Sequence, residues 1–404
     1  MLRFLESMQF MLFVFFTAAY AYQIVYLFVG LIGKGRGGRE NAKLHRYAAV
    51  VAARNESAVI ANLIRTLKEQ NYPSELLDIY VIADNCTDNT AQISRQAGAY
   101  VYERFNKVQV GKGYALEYLF HHIFEDKGET AYDGFFVFDA DNIVDRDFVR
   151  EMNKMFDTGE YTALTSYRNS QNFCANWISA GYALWFLRES RFLNRPRTQL
   201  GVNCAVSGTG FLVSAQAVRE DAGWPYHLLT EDIEFSIHEI LQGRKIAFCP
   251  DAVLYDEQPT TFRQSWRQRL RWSKGYLQVF QRYGTRLLGG VLRGNFSCFD
   301  MSMAIMPAFV LSTVSLASNL ALAVWGVWTG GSILIALQSL GQMLLSMYLT
   351  LFVIGAITTV TERRHIHTGR ARRVLYAFTF PLFMFTYLPI SLAALFSKGE
   401  WKPI

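Results

Sequence analysis

Three stretches of the chain contain no Asp, Glu, Lys or Arg: Ser7–Gly33, Met301–Thr361 and Val374–Ser397. All 40 basic and 34 acidic residues of the 404-residue chain therefore lie in the remaining segments. There they reach the charge density of an ordinary soluble domain, roughly 25%. The averages over the whole chain, 51% hydrophobic and a net charge of +6, describe neither population. The pattern requires a soluble domain joined to membrane helices. It excludes a wholly soluble enzyme, a disordered chain and a disulfide scaffold.

A helix rises about 1.5 Å per residue, so about 20 apolar residues cross a hydrocarbon core of roughly 30 Å. Ser7–Gly33 exceeds a secretory apolar region of about 7–15 residues and reads as a retained anchor. Met301–Thr361 is long enough for two spans divided at Thr329-Gly330-Gly331. Val374–Ser397 gives a fourth span, with Pro381 and Pro389 as tolerated kinks. The predicted organisation is an anchor (1–33), a domain (34–300) and a C-terminal membrane region of three spans (301–404). Lys34, Arg36, Arg39, Lys43 and Arg46 follow the first span. Arg363, Arg364, Arg370, Arg372 and Arg373 separate the third from the fourth. Four spans put both clusters on one side, the cytoplasm, with both termini outside. The domain itself is nearly neutral, so the excess base belongs beside the membrane and does not indicate nucleic acid. Five cysteines without CxxC spacing predict free thiols. The seven histidines show no metal-ligand spacing.

Two further stretches predict interfacial helices. Asn169–Leu187 is uncharged and aromatic, but its Asn and Gln residues are costly in hydrocarbon. Thr261–Arg293 mixes Trp266, Trp272, Tyr276, Phe280 and Tyr283 with basic residues and no acid, the composition of a helix on an anionic membrane face.

Between Tyr47 and Asp141 short apolar runs alternate with helical stretches. Strands are predicted at Tyr47–Ala53, Asp78–Ala83, Ala99–Glu103 and Gly134–Phe138. Helices are predicted at Glu56–Gln70, Thr87–Ala97 and Gly111–Phe124. This alternation gives an α/β fold with a parallel sheet, whose ligands bind beyond the carboxyl ends of the strands. Polar clusters end three of the strands: Arg54-Asn55-Glu56, Asp84-Asn85-Cys86-Thr87-Asp88 and Asp139-Ala140-Asp141-Asn142. Asp88 alone reads more often as a helix cap. Asp139 and Asp141, two apart, can turn oxygens toward one hard divalent cation.

The ordered segments VAARNES, VIADNCTDNT, GKGYAL, FDADN, SGTGFLVS, LLTED and QRLRW, running from Val51 to Trp272, resemble the membrane-embedded family 2 glycosyltransferases. That group includes cellulose, chitin, hyaluronan and poly-N-acetylglucosamine synthases. The resemblance implies a GT-A nucleotide-sugar domain, Rossmann-like, with interfacial amphipathic helices and about four transmembrane helices. It implies donor contacts from Arg54, Glu56, Asp84, Lys112, Asp139, Asp141 and Arg271, with Asp84 on the uracil or ribose of a UDP-sugar. Many relatives have a second acid before that position, where this chain has Ala83. Asp139 and Asp141 would hold Mg²⁺ or Mn²⁺ against the diphosphate. Asp232 is similar to the family's general base, and Glu231, Gln268 and Trp272 to its acceptor site. Plainer structural roles compete at several positions: a surface lysine for Lys112, a cap for Thr230 and an interfacial aromatic for Trp272. Arg269 and Leu270 fill the variable positions of QxxRW.

One base and one metal site, without a second nucleophilic carboxylate, fit single displacement with inversion. The leading expectation is a synthase in a bacterial plasma membrane, its catalytic domain cytoplasmic, extending a β-linked polysaccharide and passing it outward. The alternative acceptor is a membrane lipid receiving one sugar, as in ceramide glucosyltransferase-like relatives. A non-catalytic scaffold or exporter fits poorly with a complete set of acidic motif positions. A dinucleotide-dependent dehydrogenase lacks the GxGxxG turn after the first strand.

Overall fold

The computed structural model describes residues 17–33, 35, 37–305, 324–329, 333–397 and 399, with isolated residues at 7, 11, 14, 15, 317, 318, 320 and 321. Helix α1 (Tyr22–Ile32) leads into β1 (Tyr47–Ala53), α2 (Ile60–Lys68), β2 (Leu77–Asp84), α3 (Thr90–Gln96), β3 (Tyr100–Arg104), α4 (Lys112–Lys127) and β4 (Gly134–Asp139). Then come β5 (Ile143–Val144), α5 (Phe148–Phe156), β6 (Ala163–Ser170), α6 (Trp177–Glu189) and a π-helical turn (Ser190–Asn194). They are followed by α7 (Arg195–Gln199), β7 (Phe211–Ser214), α8 (Ala215–Glu220), α9 (Glu231–Leu241) and β8 (Ile246–Asp256). The C-terminal part contains α10 (Phe262–Leu292), α11 (Phe296–Ile305), α12 (Ile333–Thr361), α13 (Arg370–Phe385) and α14 (Tyr387–Phe396).

The strands form one sheet in the order β3-β2-β1-β4-β7-β6-β8-β5. The first four pair in parallel, as their alternation with helices predicts. Strand β7 runs antiparallel to both β4 and β6. Residues of β1 alternate between two cores: Ala48 and Val50 join Leu116, Leu119 and Phe120 of α4, while Ala49 and Val51 join Leu63 and Ile64 of α2. Both faces are covered, which is why β1 is apolar throughout. The register sets Ala53 opposite Ala83 and Ala52 opposite Asp139. The polar ends of β1, β2 and β4 therefore share one rim.

The stretch Asn169–Leu187 is not one interfacial helix. Asn169 and Ser170 complete β6, and α6 begins only at Trp177. Asn176 caps it, its side chain accepting from the backbone of Ile178 and Ser179. Most of α6 is buried, with Gly181 against the ring of Phe383 from α13. It forms a layer between the sheet and the C-terminal helices. Thr261–Arg293 does form a single long helix, α10, whose cap Thr261 accepts from Gln264 N at 3.2 Å.

The sequence predicts four spans. Among the described residues two helices are long and apolar enough to cross a membrane, Leu340–Thr361 and Arg370–Phe396. Four are therefore not borne out: in the first predicted span the apolar helix Thr17–Ile32 is shorter and residues 8–10 lie outside the described residues, as do residues 306–316 of the second. The loop joining the two long helices rests on the α/β domain. Glu362 accepts from the Tyr167 hydroxyl, Arg191 Nε lies 3.5 Å from Glu362, and Asn169 Nδ2 donates to His365 O at 3.0 Å. The second long helix is interrupted between α13 and α14 at Thr386. Pro389 has no N–H for the carbonyl four residues back, which weakens the helix there.

Candidate active site

Asp139 ends β4 with its backbone N–H donating to Thr209 Oγ1 at 2.8 Å and to Asn142 Oδ1 at 3.2 Å. Asn142 is fully buried and its amide reaches both Asp141 Oδ1 (3.2 Å) and Asp256 Oδ1 (3.3 Å). Asp256 is the last residue of β8. It is held by Arg168, whose Nε donates to Oδ2 at 2.9 Å, and by Gln258 Nε2 at 2.9 Å. Burial raises the Asp141 carboxyl well above its ordinary pKa, and the nearby charges of Asp256, Asp139 and Glu56 add to this against Arg168. Glu56 responds to the same crowding: burial, then Asp139, Asp88 and Glu257, push it up to about 7.

Lys112, the first residue of α4, is no surface lysine. Its ammonium pairs with Asp139 and donates to Gly208 O at 2.6 Å. Burial opposes its charge, but Asp139, Glu231 and Asp232 outweigh that and raise its pKa. Gly208 has φ +76°, a left-handed conformation that favours glycine, and a β-carbon there would lie 3.6 Å from Asp232 Oδ2. Lys112, Asp139 and Asp232 therefore surround one glycine turn.

Glu231 and Asp232 begin α9, half-buried, at the end where the helix dipole favours anions. Burial raises both carboxyls; Lys112 opposes this at each, and Arg271 also at Glu231. Thr230 occupies the cap position, but its side chain caps nothing. Its hydroxyl is buried without a hydrogen-bond partner, and its methyl faces Gly275 of α10, where a β-carbon would lie 2.5 Å away.

Gln268, Arg271, Trp272 and Gly275 are spaced three and four apart and share one face of α10. Gly275 presses that face onto the start of α9. Gln268 Oε1 and Arg271 Nε are buried without hydrogen-bond partners, which marks a place where a polar ligand belongs. Trp272 is half-buried and meets Tyr182 and Phe186 of α6 edge to face, with centroids 5.8 and 6.3 Å apart. It belongs to a tertiary cluster and not to an exposed membrane rim.

The other expected donor residues lie farther along the rim. Arg54 stands half-buried at the end of β1. Asp84 is 5% exposed and accepts from Arg104 Nη1 at 2.7 Å, its register partner on β3. Asp88 behaves as a local turn residue: slight burial is overcome by hydrogen bonds from Thr90 and Ser57, which lower its pKa to about 2.

Sequence reasoning put Asn142 in a rim cluster without giving it a role, and missed Arg168, Thr209, Glu234 and Asp256. Each is polar and buried or half-buried, and most have partners far away in the chain. Asp256 carried one usable signal, an acid ending an apolar strand. Glu234, fully buried, accepts from His227 N, Leu228 N, Arg282 and Tyr283, so it fixes α9 to α10.

The donor set suits a hard divalent cation. Asp139 and Asp141 supply oxygens only, Asp256 adjoins them, and the crowding that raises Asp141 is what a cation would relieve. A second group, Asp221, His238 and Glu239, also brings its ligand atoms together. There Arg244 already bonds Glu239 at 2.7 Å and Asp221 at 3.4 Å, so a guanidinium occupies the cation's place.

A family model described as "Glycosyltransferase like family 2" matches residues 45–275. Among curated proteins, the β-monoglucosyldiacylglycerol synthase of Synechocystis sp. is 26% identical over 285 residues, covering 68% of this chain and 57% of that protein. The poly-β-1,6-N-acetyl-D-glucosamine synthase of Staphylococcus aureus is 27% identical over 240 residues, 58% of this chain and 55% of that one. The chain thus spans less than two thirds of the length of these relatives. Among solved structures, a mannosyltransferase from Pyrobaculum calidifontis, in complex with GDP-mannose and Mn²⁺, aligns over 96% of this chain and 99% of its own. Its TM-score is 0.61 at 16% identity, a likeness of fold.

Proposed function

The chain belongs to glycosyltransferase-like family 2, and on that footing we propose that it transfers a sugar from a UDP-sugar, with inversion, to a lipid held at the membrane face. The observation that carries this reading is the meeting of the acidic rim with the Gln268–Arg271–Trp272 face of α10. There buried, unpartnered polar atoms lie beside Glu231 and Asp232.

The donor lies along the rim formed by Arg54, Glu56, Asp84 and Asp139. Mg²⁺ or Mn²⁺ on Asp139 and Asp141, when bound, neutralises charge on the departing diphosphate. Lys112 exchanges its contact with Asp139 for the diphosphate, and Arg271 meets the same charge from α10. Asp232 accepts the proton of the acceptor hydroxyl as its oxygen bonds the anomeric carbon and the bond to the diphosphate breaks. Glu231, Gln268 and Trp272 orient the acceptor. An α-linked donor gives a β-linked product.

A lipid acceptor is favoured by what surrounds Trp272. Tyr182 is joined there by Phe186, Phe383 and Tyr387 in one apolar cluster between α6, α10 and the second long helix. That surrounding suits a headgroup presented from a bilayer. The polysaccharide reading has its own support in the QRLRW motif and in relatives named as poly-N-acetylglucosamine synthases. The integral-membrane placement is supported by the two long apolar helices, and the cytoplasmic side for the domain by the basic residues Arg363 and Arg364 in the loop between them, which rests on the domain.

The test uses purified protein in detergent–lipid micelles with a panel of UDP-sugars and either metal. Expected are metal-dependent UDP release, abolished by EDTA, and a product that partitions into organic solvent. A water-soluble, high-mass product transfers the assignment to the polymer reading. No UDP release with any donor overturns the enzymatic reading.

A further inference from the structure

We propose that Arg269 is a positioning residue that locks the acceptor face of α10 to the break in the second long helix; this rests on the transfer reading above. Arg269 occupies a variable position between Gln268 and Arg271, yet it is fully buried and is paired with no carboxylate among the described residues. A buried guanidinium without an anion persists only where fixed dipoles and ring faces replace water. Here Nη1 donates to Thr386 Oγ1 at 2.6 Å and to Phe383 O at 3.2 Å, and Nε to Ser265 O at 3.4 Å. Its carbon centre lies 4.4 Å from the ring of Phe383, 4.8 Å from Tyr387 and 5.8 Å from Tyr182.

These contacts join three elements at one point. Phe383 and Thr386 lie where α13 gives way to α14, and the carbonyls at a helix end carry partial negative charge that attracts a cation. Tyr182 comes from α6 and also touches Trp272. Ser265 and Arg269 lie on one flank of α10 against α6 and the long helix, Trp272 shares that cluster one turn on, and Gln268 and Arg271 lie on the adjoining flank toward the start of α9. Loosening the first flank lets α10 turn about its axis and withdraws the second. The donor is bound by residues on the rim of the sheet, which do not depend on that turn; Arg271 turns with α10, but it meets charge that develops on the departing diphosphate and so enters kcat and not the donor KM.

The substitutions Arg269→Lys, Arg269→Met and Thr386→Val separate this role from bulk stability. Lysine keeps the charge but has no planar fork to serve two acceptors. Expected is a rise of about tenfold or more in the acceptor KM for each Arg269 variant, with the donor KM nearly unchanged, the pattern of a lost acceptor-side interaction. Thr386→Val should move the same way, and Arg269→Lys with Thr386→Val should be no worse than Arg269→Lys alone, because the two share one contact. Should the Arg269 variants not fold, Thr386→Val alone decides by the same split. Donor and acceptor KM rising together, full additivity, or an unchanged acceptor KM in folded variants overturns the proposal. A wild-type protein that releases no UDP overturns the transfer reading and this one with it.

Discussion

Burial raises the pKa of the Asp232 carboxyl, and the Lys112 ammonium lowers it. Only the ionised carboxylate accepts a proton, so turnover rises with pH through that pKa. Burial sets the rise above the ordinary aspartate value of about 3.9. Lys112→Ala removes the opposing cation, and the acid limb of a kcat profile should move further toward neutral pH; an unmoved limb contradicts the assignment. Asp232→Asn should lower turnover by roughly 100- to 10,000-fold while UDP binding with Mn²⁺, followed by calorimetry, stays near that of the unaltered protein. Asp232 and Lys112 were legible only through the motifs LLTED and GKGYAL and the family these resemble. Arg168 and Asp256 were not: they are 88 positions apart, and nothing local in either segment signals a buried pair.

Helix α10 carries different chemistry on different sides, and its composition alone shows only its basic and aromatic character. Alternating aromatic and basic residues led to the expectation of an interfacial helix, which the single helix from Phe262 to Leu292 fits in extent. Packing supplies the rest. Gly275 allows α9 to approach so closely that Gly275→Ala drives a methyl into Thr230, and overpacking of this kind costs about 1–3 kcal/mol. Thermal unfolding should show that loss, and Thr230→Ala introduced with it should restore part of it. If the double variant is less stable than Gly275→Ala alone, the contact is misjudged. For α6 the sequence misplaced the start, because the uncharged run Asn169–Leu187 contains a strand end, a turn and a capped helix that share a lack of charge.

Across the whole molecule, the N-terminal helix is fastened by a buried ion pair. Arg197 donates to Asp300 through Nε at 2.6 Å and Nη2 at 3.1 Å, and the hydroxyls of Tyr22 and Tyr26 from α1 donate to the same carboxylate at 2.9 and 3.0 Å. Removing one member of a buried pair strands the other, at about 3–5 kcal/mol. Asp300→Asn should therefore lower the unfolding temperature far more than Tyr22→Phe; equal effects would mean that the charge is not the fastening. Charge-free stretches revealed apolar helices but could not reveal this anchoring, since Asp300 reads in sequence only as the last charge before an apolar run.

Strand β6 has a mechanical consequence. Tyr167 and Asn169 point to the loop between the two long helices, while Arg168, between them, holds Asp256 beside Asp141. Three consecutive residues thus act as a lever with the hairpin on one arm and the carboxylates of Asp141 and Asp256 on the other. On the proposed membrane placement, a bilayer too thin or too thick for the hairpin tilts it and strains that lever, so turnover should peak at one lipid chain length even when the acceptor concentration is held fixed; a flat response contradicts the coupling.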